Sequence, residues 1–150
     1  MRIFRSMETS TSALTAERLK MDLIANNLAN INTTRGPNGE PYRRKVTVQE
    51  ERRDSFSDVF TRLLGDSSTK AGEPGNGVRI TRVQEDPSDF KLKYDPTHPD
   101  ADKDGMVRLP NVDMTTEMLD MMMAQRVYEA NVTAFNVSKS MAMKALEIGR

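Results

Sequence analysis

Residues 112–148 read VDMTTEMLDMMMAQRVYEANVTAFNVSKSMAMKALEI. Neither glycine nor proline interrupts this stretch, so a single helix is predicted, about 55 Å long. One apolar stripe at three-four spacing runs Met114, Met118, Met121, Gln125, Tyr128, Val132, Phe135, Lys139, Ala142, Leu146, with eight of ten positions apolar. A second runs Met123, Val127, Ala130, Ala134, Val137, Met141, Lys144, Ile148, with seven of eight apolar. The second is the first displaced by two residues, about 200° around the helix, so the two faces are nearly opposite. A helix apolar on two sides needs a partner on each.

One partner is available within the chain. Residues 1–35 also lack glycine and proline, and Met7, Leu14, Met21 and Leu28 recur every seven residues. The companion position holds Ile3, Ser10, Glu17, Ile24 and Ile31, which gives the alternation of a coiled-coil seam. The run Thr9–Ser12 is expected to weaken this helix and to cap a restart, because hydroxyl residues favour caps over interiors. The helix is expected to end by about Asn32, since Gly36-Pro37 follows. Asn26, Asn27, Asn30 and Asn32 are poor helix formers gathered at that end. Either they are polar filler on a fraying turn, or buried amides fix the register between helices.

The middle is punctuated. All seven prolines and seven of the eight glycines lie between Gly36 and Pro110. Alternation predicts strands at Arg43–Glu50, Gly77–Glu85, Phe90–Tyr94 and Met106–Leu109. A helical turn or two is expected in Asp54–Leu64, and a loop over Gly65–Gly77. The expected fold is α+β: long N- and C-terminal helices pairing as a coiled-coil-like hairpin, with a small irregular β-rich middle. The divisions are an N-terminal assembly helix, 1–35; a strand-and-loop region, 36–110; and a C-terminal assembly helix, 111–150.

Composition removes several functions. Twenty-two basic residues balance twenty-two acidic ones, so nucleic acid is not an expected partner. The absence of cysteine excludes disulfides, thiol catalysis and cysteine zinc sites. His98 is the single histidine, flanked by proline and acidic residues in a turn, and no catalytic, cofactor or metal site is assigned. No apolar run is long enough to span a membrane, and no signal-peptide core follows the first residues, so any export is expected without a cleaved signal.

Two tracts carry sharper alternatives. Asp100-Ala-Asp102-Lys-Asp104-Gly105 matches the first half of a calcium loop. Its twelfth position, however, is Asn111 where a bidentate glutamate belongs, and Pro96, Pro99 and Pro110 crowd it, so an Asp-rich turn is the simpler reading. Arg43-Arg44-Lys45 with Arg52 and Arg53 forms a basic cluster. It reads as a solvated strand edge or as a contact with an acidic surface on a neighbouring subunit. The seven methionines between Met114 and Met143 suit adaptable packing.

The segment Ser12–Thr34, with its core Ala25-Asn-Asn-Leu-Ala-Asn30, resembles the N-terminal signature of the bacterial flagellar rod, hook and hook-associated proteins. Gly39-Glu-Pro-Tyr-Arg-Arg-Lys45, the turn Tyr94–Asp102 and the ending Tyr128–Arg150 look like the proximal-rod members of that family. The short chain, and Arg35-Gly36-Pro37 where hook relatives continue with Thr-Gly and an aromatic, point the same way.

The resemblance implies a structural role with no catalysis and no cofactor. The subunit would leave the cell unfolded through the flagellar type III export apparatus and join copies of itself and other rod proteins in a periplasmic drive shaft. On this reading the assembly residues are Met7, Leu14, Met21, Ile24, Asn26, Asn27, Leu28 and Asn30 on the first helix. On the second they are Met121, Tyr128, Val132 and Phe135 on one face and Met123, Val127, Ala130, Ala134, Val137 and Met141 on the other. A calcium-binding module, and a secreted protein that shares the export route without polymerising, are the alternatives.

Overall fold

A computed structural model describes residues 2–36, 38–52 and 76–148. The helical turns expected within Asp54–Leu64, and most of the loop after them, lie outside the described residues. Two long helices dominate: α1, Arg2–Ala29, and α2, Met114–Ile148. Between them come β1, Lys45–Glu51; β2, Val78–Glu85; β3, Lys91–Tyr94; and β4, Met106–Leu109. The fold is the expected α+β arrangement, with α1 and α2 packed together and two small antiparallel sheets.

The expected restart near Thr9 does not occur. The hydroxyls of Thr9, Thr11 and Thr15 each donate to the carbonyl four residues back, and Ser12 Oγ donates to Thr9 O at 2.7 Å. Each hydroxyl shares a carbonyl that already accepts a helical N–H, which weakens the ladder slightly without breaking it, and α1 runs through unbroken. α2 starts two residues later than Val112 because Asp113 is its cap. Asp113 Oδ1 accepts the backbone N–H groups of Thr115 and Thr116, each at 3.1 Å.

The helices are antiparallel and in register. Ser6 Oγ lies 3.2 Å from Ser138 Oγ, and Asn27 Nδ2 lies 3.1 Å from Glu117 Oε2. Twenty-one residues separate the two contacts along either helix. The same register sets Arg2 opposite Ala142, so the last six residues of α2 run past the start of α1.

β1 and β2 pair with a bulge between Val48 and Gln49 and lie along α1. Val78 N–H donates to Ser12 Oγ at 3.1 Å, and Arg52 pairs with Glu8 at 3.0 Å. Gly77 makes the close approach possible. Its φ is +98°, and a Cβ there would collide with the Ser12 side chain. β3 and β4 form a second hairpin, whose Val107 is buried along with nearby Val112. Among the described residues the other buried apolar side chains are Ala16 and Ile24 on α1, Ala124 on α2 and Pro110 just before it, a thin core for two long helices.

Candidate functional site

Where β1 meets the two helices, a polar node ties three distant segments together. Asn27 is 1% exposed. Its Oδ1 accepts the Lys45 backbone N–H at 3.0 Å and the Tyr42 hydroxyl at 2.9 Å. Its Nδ2 donates to Lys45 O at 3.0 Å and to Glu117 Oε2. The carboxamide thus serves both backbone groups of Lys45, as a residue on a neighbouring strand would.

Glu117 is 0% exposed, and its charge is met by Arg44 Nε at 2.5 Å. Arg44 also reaches Asp120 at 3.0 Å and Asp86 at 3.7 Å. Burial alone would lower the guanidinium pKa, but the hydrogen bond and charge of Glu117, with Asp120 and Asp86, raise it. Burial pushes the Tyr42 phenol up, and the nearby Glu117 and Glu85 charges push it further. The node is therefore a charged arginine and a neutral tyrosine set around a buried carboxylate and amide.

Glu117 escaped the sequence reading because the first stripe ran through Met114 and Met118, which are exposed. A stripe spaced at 3.5 residues drifts off the inward face of a straight helix with 3.6. The residues that take that face at the start of α2 are Glu117 and Ala124, and Gln125, Lys139 and Leu146 turn outward. The available signal was a carboxylate one turn before Met121, with an arginine cluster at 43–44 to match it.

Along the first stripe Met121, Tyr128, Val132 and Phe135 are half-buried, as are Met7, Leu14, Met21 and Leu28 on α1, while Ile24 is buried. Among the described residues the side-chain hydrogen bonds of Asn26 and Asn30 stay within residues 26–42. Asn30 Nδ2 donates to Asn26 O at 2.9 Å and to Asn26 Oδ1 at 3.0 Å, and Asn30 Oδ1 accepts from Thr33 Oγ1, so this pair closes the end of α1.

Part of the basic cluster is engaged within the subunit. Arg43 lies over the Phe90 ring, 4.3 Å from its centroid, and donates to the carbonyls of Asp86 and Ser88. Arg44 belongs to the node, and Arg53 lies outside the described residues. The Asp-rich tract is the loop between β3 and β4. Asp100 accepts from Thr34 Oγ1 at 2.8 Å and faces Arg35, and Asp100 N–H donates to His98 Nδ1 at 3.1 Å. Asn111, the would-be twelfth calcium position, instead accepts Arg44 N–H at 2.7 Å and donates to Ser88 Oγ at 2.8 Å. Among the described residues no group of three His, Cys, Asp or Glu side chains is placed to hold a metal.

The second stripe of α2 stands open. Met123, Val127, Ala130, Ala134, Val137 and Met141 are all exposed, Met123 at 63% and Met141 at 62%. Leu146, on the overrunning end, is 75% exposed. No helix is long and apolar enough to cross a membrane among the described residues.

Comparison with known proteins accounts for both helices. Residues 7–37 match the family described as flagella basal body rod protein, and residues 103–148 match the C-terminal family of flagellar basal body rod FlgEFG proteins. The chain is 49% identical to the flagellar basal-body rod protein FlgC of Bacillus subtilis, with all of both chains covered. It is 44% identical to that of Borreliella burgdorferi, over 99% of this chain and 98% of the relative. It is 35% identical to that of Escherichia coli O157:H7, again over the whole of both. Similar to these relatives from end to end, the chain belongs to the FlgC family of flagellar basal-body rod proteins.

Proposed function

We propose that this chain is a structural subunit of the flagellar basal-body rod, polymerising through its terminal helices into the shaft that carries torque. The observation that carries the reading is the end-to-end likeness to rod proteins. The physical means is α2. Its inward face is used by α1, and its outward strip of Met123, Val127, Ala130, Ala134, Val137 and Met141 is left for neighbours. Burying such side chains is favourable by roughly 1.5–3 kcal/mol for each Val or Met, and the same strip is presented by every subunit. The overrunning end, with Leu146, offers a continuation of the seam to an adjacent subunit.

The work is mechanical and needs no catalytic group. Partners are other copies and other rod proteins, and the thin core suits passage through the flagellar export apparatus as an unfolded chain. The asparagine node holds each subunit's hairpin at one register, which a repeating polymer requires of every copy.

The test is to isolate basal bodies from cells carrying a deletion of the gene and from complemented cells. Basal bodies that contain the chain, and rods missing only in the deletion strain, support the reading. Complete rods and normal swimming without the chain overturn it.

A further inference from the structure

The β3–β4 hairpin is inside out. Its register sets Leu92 beside Arg108 and Tyr94 beside Met106 on one face, and Lys91, Lys93, Val107 and Leu109 on the other. Val107 is 1% exposed, so the second face is the covered one. Yet that face carries the two lysines, and Lys91 Nζ reaches Val112 O at 2.9 Å and Asp113 at 3.1 Å. The face turned to solvent carries Leu92 and Tyr94, 63% and 68% exposed. An antiparallel sheet with one wet face ordinarily alternates the other way. The Tyr94 ring is also held in place. A Cβ on Gly105 would lie 2.9 Å from its Cε2, so one side of the ring rests on the glycine and the rest stays open.

Charge divides the hairpin along its length. The two strands hold Lys91, Lys93 and Arg108 and no carboxylate, whereas the loop 95–105 holds Asp95, Asp100, Asp102 and Asp104 against Lys103. Lys91 and Asp100 are paired within the subunit, with Asp113 and Arg35. Arg108, Asp102 and Asp104 are exposed, and none of them makes an ion pair among the described residues. The apolar face therefore has an open cation at one end and two open carboxylates at the other. We propose that in the rod this face docks on the hairpin of a second copy of the chain, head to tail. Arg108 of one copy then meets Asp102 and Asp104 of the next, and Leu92 and Tyr94 are covered between them.

A second copy fits because the hairpin supplies both charges that the contact needs, at opposite ends. A patch that differs from the patch it meets repeats from subunit to subunit, as a rod requires. The face is used and not the edge, since inward-pointing lysines such as Lys91 and Lys93 discourage strand-by-strand addition. Four residues of each strand make a contact far smaller than a stable interface needs. The hairpin therefore locks together copies that other contacts have already set side by side, where effective concentration is high. The contact presupposes the rod reading above. It is a sum over the loop, so neutralising one carboxylate leaves it, whereas reversing two opposes it.

Charge reversal in motile cells tests it. Arg108→Glu, and Asp102→Lys with Asp104→Lys, should each lose swimming while the chain is still secreted and keeps the parent's circular dichroism. The two alleles expressed together should restore swimming, because a reversed face in one copy then meets a reversed loop in the other. Normal swimming by either allele alone, or no rescue by the pair, overturns the proposal.

Disulfide formation reads the contact directly, and the absence of native cysteine makes it clean. A chain carrying both Arg108→Cys and Asp104→Cys, oxidised in isolated basal bodies, should give a ladder of dimers, trimers and longer species on a non-reducing gel. Dimers alone would mean a closed two-fold pair, and monomers alone would mean no contact; either result overturns the head-to-tail arrangement. Basal bodies that lack the chain altogether would overturn the rod reading, and this contact with it.

Discussion

Arg44 Nε lies 2.5 Å from Oε1 of Glu117, a carboxylate with no exposed surface. The two residues belong to the segment before β1 and to the first turn of α2, so the ion pair bolts the middle of the chain to the hairpin. Removing one side of a buried pair leaves the other charge without compensation. Glu117→Ala is therefore expected to destabilise the subunit by about 3–5 kcal/mol. Chemical denaturation followed by circular dichroism checks it. A loss no larger than that of an exposed substitution such as Glu129→Ala would mean that the node contributes nothing.

Asn27 and Asn30 separate cleanly. Asn27→Leu strands the two backbone groups of Lys45 and the Tyr42 hydroxyl, all met by one carboxamide. Each stranded buried group costs about 1–3 kcal/mol, so the variant should unfold well before the parent. Asn30→Leu disturbs only the closing turn of α1 and should stay near the parent in melting temperature. Equal melting temperatures for both variants would contradict the burial of Asn27.

Acid should loosen the structure through two carboxylates. The Ser88 backbone N–H, then the Ser88 hydroxyl and Arg44, hold Asp86 below its ordinary value. The Thr116 backbone N–H and Lys91 do the same for Asp113. Because both are depressed in the folded state, their contribution is fully present above the ordinary carboxylate pKa of about 4 and is lost as pH falls below it. Melting temperature should be flat near neutrality and drop below that point. Asp86→Asn with Asp113→Asn should lower the plateau and shrink the drop. An unchanged drop in the double variant would assign acid sensitivity elsewhere.

Much of this was legible in the chain itself. Met106–Leu109 is a strand over the residues its alternation marks, and β1 to β3 shift by one or two at their ends. Gly and Pro placement separated helices from strands because those residues act locally. What was not legible depended on partners distant in sequence. Glu117 faces inward only because Arg44 comes back to it from 73 positions away. The engagement of Arg43 was hidden for the same reason, since Phe90 and the Asp86 and Ser88 carbonyls that meet it come from more than forty positions away. A stripe at 3.5-residue spacing also drifts around a helix of 3.6 residues per turn, so spacing alone did not mark Met114 and Met118 as exposed.

The two faces of α2 can be told apart by one substitution on each. Val132 is half-buried, whereas Val137 is 53% exposed in the single subunit. A carboxylate at position 132 enters the seam of every subunit, so Val132→Asp should lower the subunit's own stability by several kcal/mol as well as prevent rods. A carboxylate at position 137 stays in water until a neighbour arrives. Val137→Asp should therefore fold with the parent's melting temperature and still abolish swimming, because its burial cost recurs at every contact in the rod. Asp102→Ala is the control: it lies in the β3–β4 loop, where its backbone groups bond to Met106 and Gly105 and do not depend on the side chain, and it should swim normally. Soft-agar motility, with secreted protein and melting curves measured in parallel, separates the outcomes. Intact swimming by Val137→Asp would place that face in solvent within the rod, and α2 would then pack on one side only.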